Sequence, residues 1–171
     1  SASMPMYGLD YDVINLSGAW ARERWVNRTP VAHASFRVES QRGASSHEQN
    51  PFVALCEKSA TEHAGQVWAA ALVYSGSFTA EIAANQYDSA RAVIGLNPES
   101  FSWRLESGEE FTTPECVMSY SSDGLDRLSD NFATVFRERL CRGKYRDIRR
   151  PVLLNSWEAC YFSFDSERLM K

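Results

Sequence analysis

Arg150 to Phe164 read RPVLLNSWEACYFSF. The Val/Leu run bounded by Pro151 has the composition of a short buried strand, and it opens at once into a polar and aromatic tip carrying Asn155, Ser156, Trp157 and Glu158. Phe164 and Asp165 then lead into a helix-forming tail. Strand, loop and helix in this order predict one unit of a (β/α) barrel, in which the C-terminal ends of the strands build the active site and the strand bodies fill the core. One unit cannot close a barrel. The expectation is therefore a piece of an enzyme whose catalytic machinery lies beyond Lys171.

Upstream of this stretch the chain reads as a succession of short strands. Val31–Val38, Phe52–Leu55, Gln66–Tyr74, Phe78–Ala84 and Arg91–Leu96 are apolar or β-branched runs separated by Gly, Asn, Pro or Ser. Phe101, Trp103 and Leu105 alternate with Ser102 and Arg104, the period of a half-buried strand, and Cys116, Met118 and Tyr120 alternate likewise. Turn chemistry sits between the runs at Ser75-Gly76, Ser107-Gly108 and Asn97-Pro98. This pattern predicts a mainly β chain folded as a β-sandwich over residues 1–121.

Residues 122–148 break the β period. Leu125, Leu128, Phe132, Val135, Phe136 and Leu140 recur at helical spacing, with Ser122 or Asp123 placed to cap the first turn and Arg142 and Gly143 near the end. Such an apolar stripe is packing surface. The expected helix connects the sandwich to the truncated barrel segment, residues 149–171.

Several blocks carry a resemblance. RPVLLNSWEACYF is similar to the RPVLINNWEATYF segment that opens the catalytic barrel of glycoside hydrolase family 36 α-galactosidases. SQRGASSHEQNPFVAL (Ser40–Leu55), LVYSGSF (Leu72–Phe78), IGLNPESFSWRLESGEEFTTPE (Ile94–Glu115) and GLDRLSDNFATVFRERL (Gly124–Leu140) resemble that family's RGxSSHxxNPFxAL, LVYSGNF, IGINPxxFxWxLxPGExFxTPE and GLxxMSxxFHxLYRxxL, in the same order. The resemblance implies part of a galactose-mutarotase-like β-supersandwich, then a connector helix, then the first β/α unit of a TIM-type barrel. It implies a parent enzyme that hydrolyses terminal α-galactosides with retention, through a covalent galactosyl-aspartate and without metal or organic cofactor. Retention needs two carboxyl groups roughly 5 to 5.5 Å apart. The family's two catalytic aspartates lie in motifs resembling KWDxNR and SGGxRxD, which are absent from this sequence. No catalytic residue is therefore assigned, and the chain alone is expected to be inactive.

The substrate-binding candidates are Trp157, Glu158 and, third, Tyr161. An aromatic ring offers an apolar face to the CH-rich face of a sugar, and a carboxylate accepts hydrogen bonds from its hydroxyls. Alternatively, Trp157 packs the barrel wall and Glu158 forms a salt bridge to a neighbouring strand. Ser156, Cys160 and Ser163 stand where the family pattern has Asn, Thr and Asp.

Composition excludes other classes. A net charge of -4 does not suit a nucleic-acid surface. The basic run Arg137–Arg150, interleaved with Glu138 and Asp147, is read as a solvated connector. The longest apolar run, Val67–Tyr74, falls far short of the roughly twenty residues that span a bilayer. Cys56, Cys116, Cys141 and Cys160 are scattered, which suits free thiols in a reducing, cytoplasmic compartment. Ser1 to Ser3, before Met4, read as a cloning remnant. His33, His47 and His63 have no ligand partners at metal spacing. The Arg42–His47 turn is read as mainly structural. Val152, Leu153 and Leu154 need a cover, so a homo-oligomer is expected. A free-standing carbohydrate-binding β-sandwich is the alternative from a different functional class.

Overall fold

The computed structural model describes residues 1–99 and 101–170, with only the backbone described at Glu158 and Ala159. The chain divides into two units, Ser1–Thr134 and the residues from Val135 onward.

The first unit is built on two antiparallel sheets. One has the order β1-β8-β7-β4, formed by β1 (Ala2–Tyr7), β8 (Ser89–Leu96), β7 (Phe78–Ala84) and β4 (Ser35–Ser40). The other has the order β3-β2-β5-β6-β9, formed by β3 (Arg22–Pro30), β2 (Tyr11–Ala19), β5 (Gln49–Glu57), β6 (Val67–Leu72) and β9 (Cys116–Ser121). Alternate residues of each sheet meet in one core. Phe78, Ala80 and Ile82 of β7 and Ala90, Ala92 and Ile94 of β8 face Val13 of β2, Val53 and Leu55 of β5, and Ala70 and Leu72 of β6. This is the mainly β sandwich that the alternating runs predict.

Strand β5 is buried on both faces from Val53 to Cys56. The second cover is helix α1 (Gly124–Val135), which lies on the outer face of the five-stranded sheet. Leu128 and Phe132 of α1 are buried, Phe132 meets Phe52 edge-on at 5.8 Å, and a cleft between helix and sheet is lined by Ile14, Ala54, Leu125 and Leu128. Burying two such side chains contributes about 1.5–3 kcal/mol each. The chain continues from α1 into a π-helical turn, Phe136–Leu140, closed by the Cys141 N–H donating to the Phe136 carbonyl at 2.8 Å.

Three local expectations are corrected. Phe101–Leu105 belongs to no ladder among the described residues and is exposed, although its alternation is that of a strand. Ser122 and Asp123 do not cap α1: the N–H groups of Gly124, Leu125 and Asp126 donate to the carbonyls of Gly65 (3.0 Å), Thr61 (3.1 Å) and Glu62 (2.9 Å). The main chain of the 61–65 turn thus satisfies donors that a helix start leaves open. Val152–Leu154 forms no strand, because a parallel barrel strand takes its hydrogen bonds from neighbouring strands and none of the described ladders offers it one. At the start of the chain, Ala2 and Ser3 of β1 pair with Ile94 and Val93 of β8.

Strands β2 and β3 lie outside the runs that the sequence pattern predicts as strands. Strand β3 is exposed along nearly its whole length, so RERWVNRTP carries no apolar alternation to betray it. Among the described residues, no helix is long and apolar enough to cross a membrane.

Candidate functional site

Asn155, Ser156 and Trp157 open a one-turn helix, α2 (Trp157–Cys160). The Asn155 side-chain oxygen accepts from the Trp157 N–H at 3.0 Å, an Asx turn that starts the helix from a side chain. The Cys160 N–H donates to the Ser156 carbonyl at 2.9 Å. Tyr161 ends the helix with φ 50 and ψ -121, a left-handed conformation that costs a non-glycine residue of order 1–3 kcal/mol. The Ser163 N–H then returns to the Cys160 carbonyl at 2.9 Å, and Arg168 Nη1 ties down the Ser163 carbonyl at 2.8 Å. Asp165 caps the last helix, α3 (Ser166–Leu169), by accepting from the Arg168 N–H at 2.8 Å.

This backbone reversal gathers three rings. Trp157 meets Tyr161 at 5.4 Å with planes at 66°, and Phe162 at 4.8 Å with planes at 86°. All three rings are exposed. The structure therefore brings together two of the three sequence candidates, Trp157 and Tyr161. The side chain of the third, Glu158, lies outside the described residues. Phe162 is the member that sequence reasoning missed. Its meeting with Trp157 depends on the left-handed turn at Tyr161, which nothing in a tyrosine announces. Chemically, the cluster presents exposed apolar ring faces.

Around the Arg42–His47 turn, several serine hydroxyls bond to the backbone. Ser40 Oγ donates to the Ala44 carbonyl at 2.6 Å, Ser77 Oγ accepts from the Gly43 N–H at 2.9 Å, and Ser46 Oγ accepts from the Glu48 N–H at 2.9 Å. Arg42 pairs with Glu48 at 3.0 Å. Nearby, Asn97 is almost fully buried and donates to Glu39 Oε2 at 3.0 Å and to the Ser40 and Phe78 carbonyls at 3.3 and 3.4 Å. Burial pushes the Glu39 carboxyl up, but hydrogen bonds from Arg37, Asn97 and Gln41, with the Arg37 charge, outweigh it and hold the group below the usual range. Burial pushes the Cys56 and Cys116 thiols up, which keeps them protonated and poorly nucleophilic. Among the described residues, no three His, Cys, Asp or Glu side chains converge as a metal site.

Two family profiles tile the chain: the glycosyl hydrolase family 36 N-terminal domain over residues 1–106 and Melibiase over residues 110–171. The curated α-galactosidase AgaA of Geobacillus stearothermophilus is 49% identical over 170 residues, which is 99% of this chain and 23% of that protein. A crystal structure of an AgaA variant from the same organism, in complex with raffinose, superposes with a TM-score of 0.93 at 49% identity, covering 98% of this chain and 23% of that one. The α-galactosidase structure from Lactobacillus brevis gives a TM-score of 0.94 at 40% identity, over 99% of this chain and 23% of the other. The chain thus spans about a quarter of the length of the relatives it matches.

Proposed function

The chain belongs to glycosyl hydrolase family 36, and from that membership we propose that it is the non-catalytic N-terminal portion of an α-galactosidase. The parent enzyme removes terminal α-galactosyl residues from galacto-oligosaccharides with retention, using two aspartates supplied by polypeptide outside these residues. The observation that carries this reading is the tiling of both halves of the chain by the N-terminal and Melibiase profiles, at 49% identity to an α-galactosidase.

In this reading the sandwich has a structural, inter-domain or oligomerisation role in a cytoplasmic homo-oligomer that needs neither metal nor organic cofactor. Trp157 and Tyr161 contribute ring faces against the sugar, and Glu158 accepts hydrogen bonds from its hydroxyls. The exposed Trp157–Tyr161 pair supports the first of these roles. Trp157 also meets Phe162 edge-on at 4.8 Å, which adds a third ring face to the cluster.

The test is kinetic. Trp157→Ala in the parent enzyme should raise KM for raffinose by about tenfold, the equivalent of ~1.4 kcal/mol, with a smaller change in kcat. Glu158→Gln should act in the same direction. The 171-residue protein alone should not turn over an α-galactoside. Hydrolysis by the fragment, or a parent enzyme inert toward α-galactosides, would overturn the reading.

A further inference from the structure

The segment between β8 and β9 crosses from one sheet to the other as an arm. Its base is fixed: Asn97 reaches the ends of β4 and β7, and its side-chain oxygen accepts from the Glu99 N–H at 2.9 Å. Its tip is a turn at Glu106–Glu109, closed by the Glu109 N–H donating to the Glu106 carbonyl at 3.1 Å, with Gly108 at φ 88. Between base and tip lies FSWRL, Phe101–Leu105, with strict alternation of apolar and polar side chains.

Three observations about this stretch do not fit a finished surface. Its apolar members are exposed, Phe101 by 42%, Trp103 by 61% and Leu105 by 52%. The Phe101 and Trp103 rings both meet Phe111 of the returning limb, at 5.6 and 5.3 Å. Neither limb joins a sheet ladder among the described residues. Period-two alternation places every second side chain on one face, and a segment keeps it when that face is buried and its backbone is paired. Here the sequence has the pattern and the described residues provide neither the cover nor the pairing.

We infer that Phe101–Leu105 is a strand in waiting, and that its partner is a β-strand of the parent polypeptide outside residues 1–171, which pairs with its backbone and covers the Phe101, Trp103 and Leu105 face. The occupant is drawn from the same polypeptide because the matched relatives are about four times as long as this chain. Its chemistry follows from the arm: free backbone donors and acceptors along one edge, and apolar side chains at every second position. A basic residue opposite the tip completes the match, since Glu109 and Glu110 stand there while Glu106 is already paired with Arg104 at 2.7 Å. The inference rests on family membership and is independent of the parent's substrate.

Amide hydrogen exchange tests it. In the dilute 171-residue protein, the amides of residues 101–105 should exchange near the rate of an unstructured peptide. In the full-length parent enzyme they should slow at least a hundredfold at alternate positions, the signature of one antiparallel ladder. Equally fast exchange in both proteins would overturn the inference. So would protection that appears in the 171-residue protein as its concentration rises, because the partner would then be a second copy of this chain.

Discussion

Arg28 and Asp12 form an ion pair at 2.6 Å on neighbouring strands β3 and β2, and the same guanidinium reaches beyond it to the loop after β5. Arg28 Nη1 donates to the Ala60 carbonyl at 2.8 Å, and Nη2 to the Glu57 and Lys58 carbonyls, each at 2.9 Å. Asp12 is largely buried while the Arg28 side chain is about a third exposed, so the pair closes over a buried carboxylate from the surface side. Arg28→Met should cost about 1–3 kcal/mol, because it strands the buried Asp12 carboxylate and the part-buried Ala60 carbonyl while water can take over at Glu57 and Lys58; Asp12→Asn should cost less. Urea denaturation of the two variants checks the order. Equal and negligible losses would refute this closure.

Two glycines with nearly the same backbone should respond differently to alanine. Gly124 has φ 81, and a Cβ there would stand 2.5 Å from both Ala64 N and Glu62 O. Gly43 has φ 77 with nothing within 4 Å of the added atom. Gly43→Ala carries only the left-handed penalty of about 1–2 kcal/mol. Gly124→Ala adds a backbone clash at the start of α1 and should cost at least about 2 kcal/mol more. Thermal denaturation of both variants decides whether the close approach matters.

Glu39 should make stability depend on acid. Its folded pKa lies below that of the unfolded chain, so its contribution is present above the ordinary carboxylate pKa of ~4.3 and fades as pH falls through the folded value. Glu39→Gln should flatten that part of the stability profile and lower stability near neutral pH by about 1 kcal/mol or less, because the group is partly open to solvent. Denaturant midpoints from neutral pH downward measure the slope. An unchanged slope would contradict the assignment.

The apolar residues at 152–154 should drive association of the 171-residue protein. Val152, Leu153 and Leu154 are 96%, 91% and 68% exposed, and contiguous apolar residues of this kind seek a cover. Light scattering should give a mass above the monomer, and replacing all three with serine should restore the monomer. A monomeric native protein at high concentration would show that these residues do not associate.

The central strands were legible because one buried face imposes alternation, as Phe78, Ala80 and Ile82 illustrate. Helix α1 was legible through Leu128 and Phe132, which point at the sheet. What escaped depends on partners and not on pattern. Strand β3 buries almost nothing and so keeps polar residues on both sides. Phe101–Leu105 has the alternation of a strand without a ladder, since alternation records which way side chains point and says nothing of what the backbone meets. At the aromatic cluster, Trp157 and Tyr161 could be named from chemistry, whereas Phe162 joins them through a backbone reversal invisible in the residue types.

The closure of α1 by peptide groups of the 61–65 turn has an evolutionary corollary. Since no side chain does the closing, mutation can exchange the residues at Ser122 and Asp123 with little effect on how the helix begins. The number of residues in the turn is a different matter. One insertion or deletion there would slide all three carbonyls out of reach together, so drift at this junction should change letters while preserving length.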